Sequence, residues 1–108
     1  MSQARDREKL SDSASEDAVE SRRVVTIQNP SGLHARPCHA VASTAQAYTS
    51  ALEVGCEGRK VNGKSILELM TLCAAQGAVL ELVGRGADAE ALVETLVRLV
   101  ESGFDERS

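Results

Sequence analysis

The stretch from Ser50 to Val61, SALEVGCEGRKV, decides the fold of this sequence. Apolar residues take every second position in its first half, as in a strand with one buried face, and they are Leu52, Val54 and Cys56. Glu57 and Gly58 are typical of a turn, and residues 59–61 return as a second short strand. The stretch therefore predicts a β-hairpin.

A strand and a helix are predicted before the hairpin. Val25 and Ile27 alternate with polar neighbours, as expected for a short half-buried strand, and a turn follows. Residues 34–48 are rich in alanine, and Pro37 fits only the first turn of a helix, so a helix is predicted to begin at His34. Apolar residues follow near helical spacing: Ala35, Val41, Ala45 and Tyr48.

A short helix and another strand are predicted after the hairpin. Residues 62–64 end the hairpin, and residues 65–73 are predicted to be helical. Ser65 and Glu68 fit a capping box, in which the first side chain and the fourth each bond to a backbone amide of the other. Residues 78–83 then alternate as a fourth strand.

The last predicted element is a helix with a broad apolar face. Residues 84–86 are predicted to turn the chain, Asp88 to cap the helix, and Gly103 to end it. Its apolar residues are Leu92, Val93, Leu96, Val97, Leu99 and Val100. The order β-α-β-β-α-β-α predicts an α+β open-faced β-sandwich: a four-stranded, mainly antiparallel sheet with three helices on one face, because each element has one apolar side to bury.

The chain of 108 residues is long enough for one domain between two tails. Residues 1–21 are predicted to be a disordered, serine-rich acidic tail, because they have few large apolar side chains. Up to Glu20 there are six acidic and three basic residues, so this part carries −3 of the net charge of −4. Residues 22–104 are the predicted domain, and 105–108 a C-terminal tail.

The composition argues against several kinds of partner. The domain is nearly neutral and its only aromatic residues are Tyr48 and Phe104, which does not suit nucleic acid binding. No apolar run is long enough to insert in a membrane, and no signal peptide is recognisable, so we expect a cytoplasmic protein. Cys38, Cys56 and Cys73 lack ligand-like spacing and are expected to be free thiols in small apolar sites.

The segment Gly32 to Pro37, GLHARP, carries the most specific chemistry. His34 is predicted at the start of a helix, where unpaired amides and the positive end of the helix dipole favour a phosphate. A neutral imidazole can attack a phosphoryl group, and the guanidinium of Arg36 can hold the product. A histidine at a helix start is, on its own, more often a capping or surface residue.

Residues 24–102 resemble the HPr family of the bacterial phosphoenolpyruvate-dependent sugar phosphotransferase system. GLHARP matches the active-site signature of that family, and residues 62–67, NGKSIL, are close to its regulatory-site signature. The resemblance implies that His34 accepts the phosphoryl group through Nδ1 and that Arg36 stabilises the phosphate. It implies enzyme I as the donor and EIIA-type permease components or regulatory proteins as acceptors, with no cofactor. A carrier that offers one surface to several partners should be a monomer.

Ser65 has both a structural and a regulatory interpretation. A helix cap contributes about 1 kcal/mol, which is sufficient reason for a serine here. The resemblance implies a regulatory phosphorylation site, the substrate of a Ser-specific HPr kinase/phosphorylase. A phosphate there would add roughly −2 charge near His34 and repel an acidic partner. Glu68 replaces the small residue common at its position in the family, which weakens the case for a kinase.

The second helix has more apolar residues than one face of a short helix can bury: Ile66, Leu67, Leu69 and Met70. Two of them can pack on the sheet, and the others must be exposed. The resemblance implies that Leu67 and Met70, with Ile66, belong to a small docking patch that several partners share.

The sequence leaves three functions open. The first is the phosphocarrier, favoured because His34 and Arg36 are both present, and the second is a purely regulatory interaction module controlled through Ser65. The third is a metal-binding or redox-sensing domain built on His34, Cys38 and His39. A zinc site needs four ligands, which the spacing does not gather, so we expect no metal. Cys38 is then a core residue and His39 a surface residue.

Overall fold

The computed structural model describes residues 19–105, and its elements follow the order β-α-β-β-α-β-α. The strands are β1 (Glu20–Thr26), β2 (Ala51–Cys56), β3 (Arg59–Asn62) and β4 (Val79–Arg85), and the helices are α1 (Ala35–Gln46), α2 (Ile66–Met70) and α3 (Ala89–Glu101). A 3-10 turn, Gly103–Asp105, follows α3. Most of the predicted N-terminal tail and the last three residues, 106–108, lie outside the described residues.

The described strands form one sheet in the order β1-β4-β2-β3, and every neighbouring pair is antiparallel. Alternate strand residues point to the helices and are buried, including Val25, Leu52, Val54, Leu80 and Leu82. The helices cover this face of the sheet, which confirms the predicted open-faced sandwich.

The hairpin forms as predicted, because the chain reverses at two residues with positive φ. Glu57 has a φ of 50° and Gly58 a φ of 85°, which is the conformation of tight hairpin turns. Both residues are exposed. The turn places Val54 opposite Val61, and both are buried against the helices.

The open face, which is the side of the sheet away from the helices, is covered by charged residues. They are Glu20, Arg22, Glu53, Lys60, Glu81 and Arg85. Arg22 pairs with Glu81 at 2.7 Å and with Glu20 at 2.8 Å, and Arg85 pairs with Glu20 and Glu53 at 3.2 Å. Val83 lies opposite both Arg22 and Glu53 in the sheet and is only 2% exposed, because long side chains cover it.

Several element boundaries differ from the sequence-based expectation, and among them α1 ends at Gln46 rather than at residue 48. β1 begins at Glu20 rather than after residue 21, because β4 is long enough to pair with it: Glu20 lies opposite Arg85. β4 continues through the predicted turn at 84–86, and Gly84 suits this strand since a Cβ there would lie 3.0 Å from Val93 of α3. α2 ends at Met70 and not at residue 73.

In both predicted helix caps, the carboxylate has other hydrogen-bond partners than the sequence predicted. Asp88 precedes α3, but its carboxylate makes no bond to that helix; it accepts hydrogen bonds from the amides of Thr49 and Ser50 and from the Ser50 hydroxyl. In the capping box, Ser65 Oγ accepts from the Glu68 amide as predicted, at 3.1 Å. The Glu68 carboxylate accepts instead from the amide of Asn62, at 2.9 Å.

One of the three cysteines is not in an apolar site. Cys38 and Cys56 are buried, as predicted, at 0% and 8% exposure. Cys73 is exposed with a φ of 49°, because α2 has already ended and the chain turns back toward β4 at this point. Along α1, Val41 and Ala45 are buried, whereas Ala35 is exposed as the first residue of the helix.

Candidate functional site

His34 lies at the mouth of α1, immediately before its first residue. Its backbone is extended, with φ −100° and ψ −167°, and its carbonyl accepts the first intrahelical hydrogen bond from the Cys38 amide at 2.9 Å. The side chain makes no capping bond to α1 and is partly exposed. The imidazole is therefore outside the core at the positive end of a helix of 12 residues.

The loop before His34 is fixed by Asn29 and Gly32. The Asn29 side chain is 2% exposed, and its Nδ2 donates to the Gly32 carbonyl at 2.9 Å. The same carbonyl accepts from the His34 amide at 3.1 Å, so one oxygen links the buried asparagine to the histidine backbone. The sequence had indicated only a turn at these residues.

The loop is also held from the other side of the molecule, by the segment between α2 and β4. The Leu33 amide donates to the Ala74 carbonyl at 2.8 Å. Gly32 has a φ of 71°, and a Cβ there would lie 2.5 Å from that same carbonyl. The Gln76 side chain donates to the Gln28 carbonyl at 3.0 Å. Nothing in the sequence pattern predicted this contact between two loops.

Two backbone amides beside His34 can bind an anion. Within residues 19–105, the amides of Ala35 and Arg36 donate to no backbone acceptor and to no capping side chain. Pro37, the third residue of α1, has no N–H and is fully buried. The Arg36 side chain is exposed on the first turn of the helix. The start of α1 thus has a partly exposed imidazole, two amides and an exposed guanidinium within three consecutive residues, a set that suits a phosphoryl group.

Ser65 is the N-cap of α2, and α2 packs against α1. Its side chain is partly exposed and is already used as a cap by the Glu68 amide. The preceding Lys64 is bound to the end of α1: its Nζ donates to the Tyr48 carbonyl at 2.9 Å, and its own carbonyl accepts from the Gln46 side chain at 3.0 Å. These tethers were not predicted from the sequence.

The apolar residues of α2 divide between core and surface. Leu69 is fully buried and Ile66 is partly buried against the core. Leu67 is 77% exposed and Met70 is 40% exposed, which is unusual for large apolar side chains. α2 therefore presents two apolar side chains to solvent on an element that contacts the His34 helix.

Cys38 and His39 lack the features of a metal or redox centre. Cys38 is buried, and burial raises the pKa of its thiol to about 11, so it is not a ready thiolate. His39 is exposed. Residues 19–105 contain no group of three or more histidine, cysteine or acidic side chains arranged to hold a metal ion. No helix in that part of the chain has both the length and the apolar character needed to cross a membrane.

Comparisons with known proteins point to one family. The sequence profile described as "PTS HPr component phosphorylation site" matches residues 21–102. The phosphocarrier protein HPr of Neisseria meningitidis is 39% identical over 85 residues, which cover 79% of this chain and 96% of the relative. The HPr-like protein Crh of Halalkalibacterium halodurans is 34% identical over 77 residues, covering 71% and 92%.

Solved structures agree with the sequence matches. HPr of Thermoanaerobacter tengcongensis has a TM-score of 0.78 at 39% identity and covers 82% of this chain and 99% of its own. A structure described as an HPr dimer from the same organism has a TM-score of 0.65 at 41% identity and covers 76% and 94%. The similarity extends over nearly the whole length of these relatives.

Proposed function

Because this chain belongs to the HPr family of phosphocarrier proteins of the phosphotransferase system, we propose that His34 is the residue that carries the phosphoryl group. The observation that carries this proposal is the position of the imidazole, partly exposed at the mouth of α1 beside the amides of Ala35 and Arg36. A neutral imidazole nitrogen, Nδ1, attacks phosphorus, and the new N–P bond forms as the bond to the donor breaks.

Arg36 and the helix amides then act on the charge of the transferred group. The guanidinium can pair with two phosphate oxygens, and the amides of Ala35 and Arg36 can donate to a third. Asn29 and Gly32 hold the backbone of His34 in place while donor and acceptor alternate. No second acid or base accompanies His34 in the sequence signature, so the partner proteins supply the rest of the stabilisation in the transition state.

The partners follow from the family, and the docking surface from α2. The donor is phosphorylated enzyme I, and the acceptors are EIIA-type proteins or regulatory proteins that take the phosphoryl group on. Leu67, Met70 and Ile66 form the docking patch, because a small apolar area rimmed by polar residues is a typical site of transient contact. We propose that the chain is a cytoplasmic protein. We also propose that it is a monomer, which binds its donor and its acceptors one after another.

The direct test is phosphorylation of the purified chain by enzyme I and labelled phosphoenolpyruvate. We expect an acid-labile label that is lost in His34→Ala, because phosphohistidine is labile in acid. His39→Ala is the matched control, since His39 is an exposed histidine on the same helix and should leave the label unchanged. Label that survives in His34→Ala would rule out the carrier residue.

Regulation through Ser65 is a second candidate function, favoured by the partly exposed position of this serine at the start of α2. A phosphate on Ser65 would add negative charge to the element that carries the docking patch, and an acidic partner would then be repelled. With a Ser-specific HPr kinase/phosphorylase and ATP, we expect an acid-stable label that is absent from Ser65→Ala. Acid-stable labelling without any label on His34 would favour a purely regulatory module.

A further inference from the structure

Arg59, the first residue of β3, reaches across to the end of α2. Its Nη1 donates to the Thr71 carbonyl at 2.9 Å, and its Nη2 donates to the Thr71 hydroxyl at 3.3 Å. The same hydroxyl donates to the Glu68 carbonyl at 2.6 Å. Thr71 is the C-cap of α2, so one guanidinium binds the carbonyl end of this helix through two oxygen atoms of the same residue.

α2 needs such a tether because it cannot hold its position alone. It has five residues, far fewer than an isolated helix needs, and it fully buries only Leu69. At its beginning it is tied to β3 by the bond from the amide of Ser65, its N-cap, to the Asn62 carbonyl, and the Asn62 amide donates to the Glu68 carboxylate. At its end the polar tether to β3 is Arg59. The two ends of β3 therefore hold the two ends of α2.

The exposed docking side chains lie close to the Arg59 tether in the chain. Met70 immediately precedes Thr71, and Leu67 lies one turn of the helix earlier. If the end of α2 is released, Met70 loses its fixed direction first, because it immediately precedes Thr71. The loop before His34 keeps the bond from Asn29 to the Gly32 carbonyl, and its contact with Ala74 lies three residues beyond Thr71. A change at Arg59 is therefore expected to affect partner binding through α2 more than phosphoryl transfer at His34.

We propose that Arg59 is a positioning residue for the docking surface: by holding Thr71, its guanidinium fixes α2 so that Leu67 and Met70 meet partner proteins in one orientation. This inference rests on the docking role of α2 in the proposed function. Arginine is suited to the task because its planar group reaches the carbonyl and the hydroxyl together, whereas a lysine can reach them only from a single nitrogen.

The test measures phosphoryl transfer from enzyme I at varied carrier concentration. For Arg59→Gln we expect KM to rise about tenfold with kcat within about twofold, because a charge-assisted tether is lost and the docking surface becomes disordered. Arg59→Lys should lie between this variant and the wild type. Arg98→Gln is the matched control, since Arg98 is an exposed arginine on α3 whose guanidinium pairs with Glu94 at 3.9 Å, and it should behave as wild type.

Phosphorylation by a small chemical donor distinguishes a loss of α2 positioning from damage to the His34 site. Phosphoramidate transfers its phosphoryl group to an imidazole with loss of ammonia, and it is too small to need a docking helix. Its rate of His34 phosphorylation should therefore be the same in Arg59→Gln and the wild type. A fall in this rate together with kcat would overturn the proposal in favour of general structural disturbance.

Other outcomes distinguish this inference from the function on which it rests. An unchanged KM in Arg59→Gln, alongside a raised KM in Leu67→Ala, overturns the role of Arg59 and leaves the docking patch intact. An unchanged KM in Arg59→Gln, Leu67→Ala and Met70→Ala overturns both. A wild-type chain that takes no label on His34 from enzyme I refutes the carrier function itself.

Discussion

Among single residues, Gly32 has the most constrained environment near His34, the proposed phosphoryl acceptor. Its positive φ disfavours any side chain, and the space where a Cβ would lie is taken by the Ala74 carbonyl and by Ala75. Gly58 has a similar φ, of 85°, but no atom lies within 4 Å of the position of its missing Cβ. The two glycines therefore separate the cost of backbone conformation from the cost of a clash.

We predict that Gly32→Ala destabilises the fold more than Gly58→Ala. The conformational cost is about 1 kcal/mol in each case, and the clash at Gly32 adds about 2 kcal/mol. Urea unfolding of both variants measures the difference in the free energy of unfolding. Gly32→Ala should also slow phosphorylation of His34, since the clash with the Ala74 carbonyl displaces residue 32, whose own carbonyl binds the His34 amide. Equal destabilisation in the two variants would contradict the packing described for Gly32.

Between elements, Asp88 joins the start of α3 to the loop between α1 and β2. Its carboxylate accepts from Ser50 Oγ at 2.5 Å, from the Ser50 amide at 2.9 Å and from the Thr49 amide at 3.0 Å. The Ser50 hydroxyl, followed by the Thr49 amide, lowers the pKa of Asp88 from 3.8 to about 2. The folded state thus favours the ionised carboxylate.

This shift predicts a pH dependence of stability that belongs to Asp88. Because the folded pKa lies below the unfolded pKa, the contribution is complete above about pH 4 and is lost as the pH falls toward 2. Urea unfolding of the wild type and Asp88→Asn across this range should show a gap in free energy that narrows as the pH falls. Parallel curves would mean that the three hydrogen bonds do not favour ionised Asp88 in solution.

The elements themselves were largely predictable, because alternation and helical spacing are local. Leu52, Val54 and Cys56 indicated the hairpin strand, and all three are buried. The partners of Asp88 were not predictable, since Ser50 lies 38 residues away and a carboxylate before a helix has the same sequence signature in either role. The bond from Arg59 to the Thr71 carbonyl at the end of α2 was likewise not predictable, since the two residues lie 12 positions apart.

The candidate site was predictable to the extent that its residues are contiguous. GLHARP placed His34 and Arg36 at a helix start, and the structure has α1 beginning there. Asn29 was recognised only as part of a turn, although asparagine in turns commonly bonds to nearby backbone. The contact of the Ala74 carbonyl with residues 32–33 could not be predicted, because a backbone acceptor has no sequence signature and the two loops meet only in the folded chain.

On the scale of the molecule, the two faces of the sheet have different roles. The helical side carries His34 and α2, whereas the open face is covered by paired charges of alternating sign. Large apolar side chains exposed there, within the described residues, are Val24 and Val79. Such a surface offers little apolar area for a stable interface with a second copy.

We therefore predict a monomer in solution. Sedimentation equilibrium at tens of micromolar should give the mass of one chain, and the result should be the same in low and high salt. Leu67→Glu, which places a charge on the other side of the molecule, is a control that should not change the mass. A stable dimer in the wild type would show that the open face, or an edge of the sheet, associates despite its charges.

Because Pro37 has no N–H, the start of α1 has one hydrogen-bond donor fewer with which to bind an anion. The first turn of most helices offers three free donors, but here only Ala35 and Arg36 have amides to spare, since Cys38 already bonds to His34. A site that binds an anion tightly would use all the backbone amides of the first turn. If His34 carries a phosphoryl group, as proposed, one donor fewer stabilises that group less, and its transfer to an acceptor protein is correspondingly more favourable.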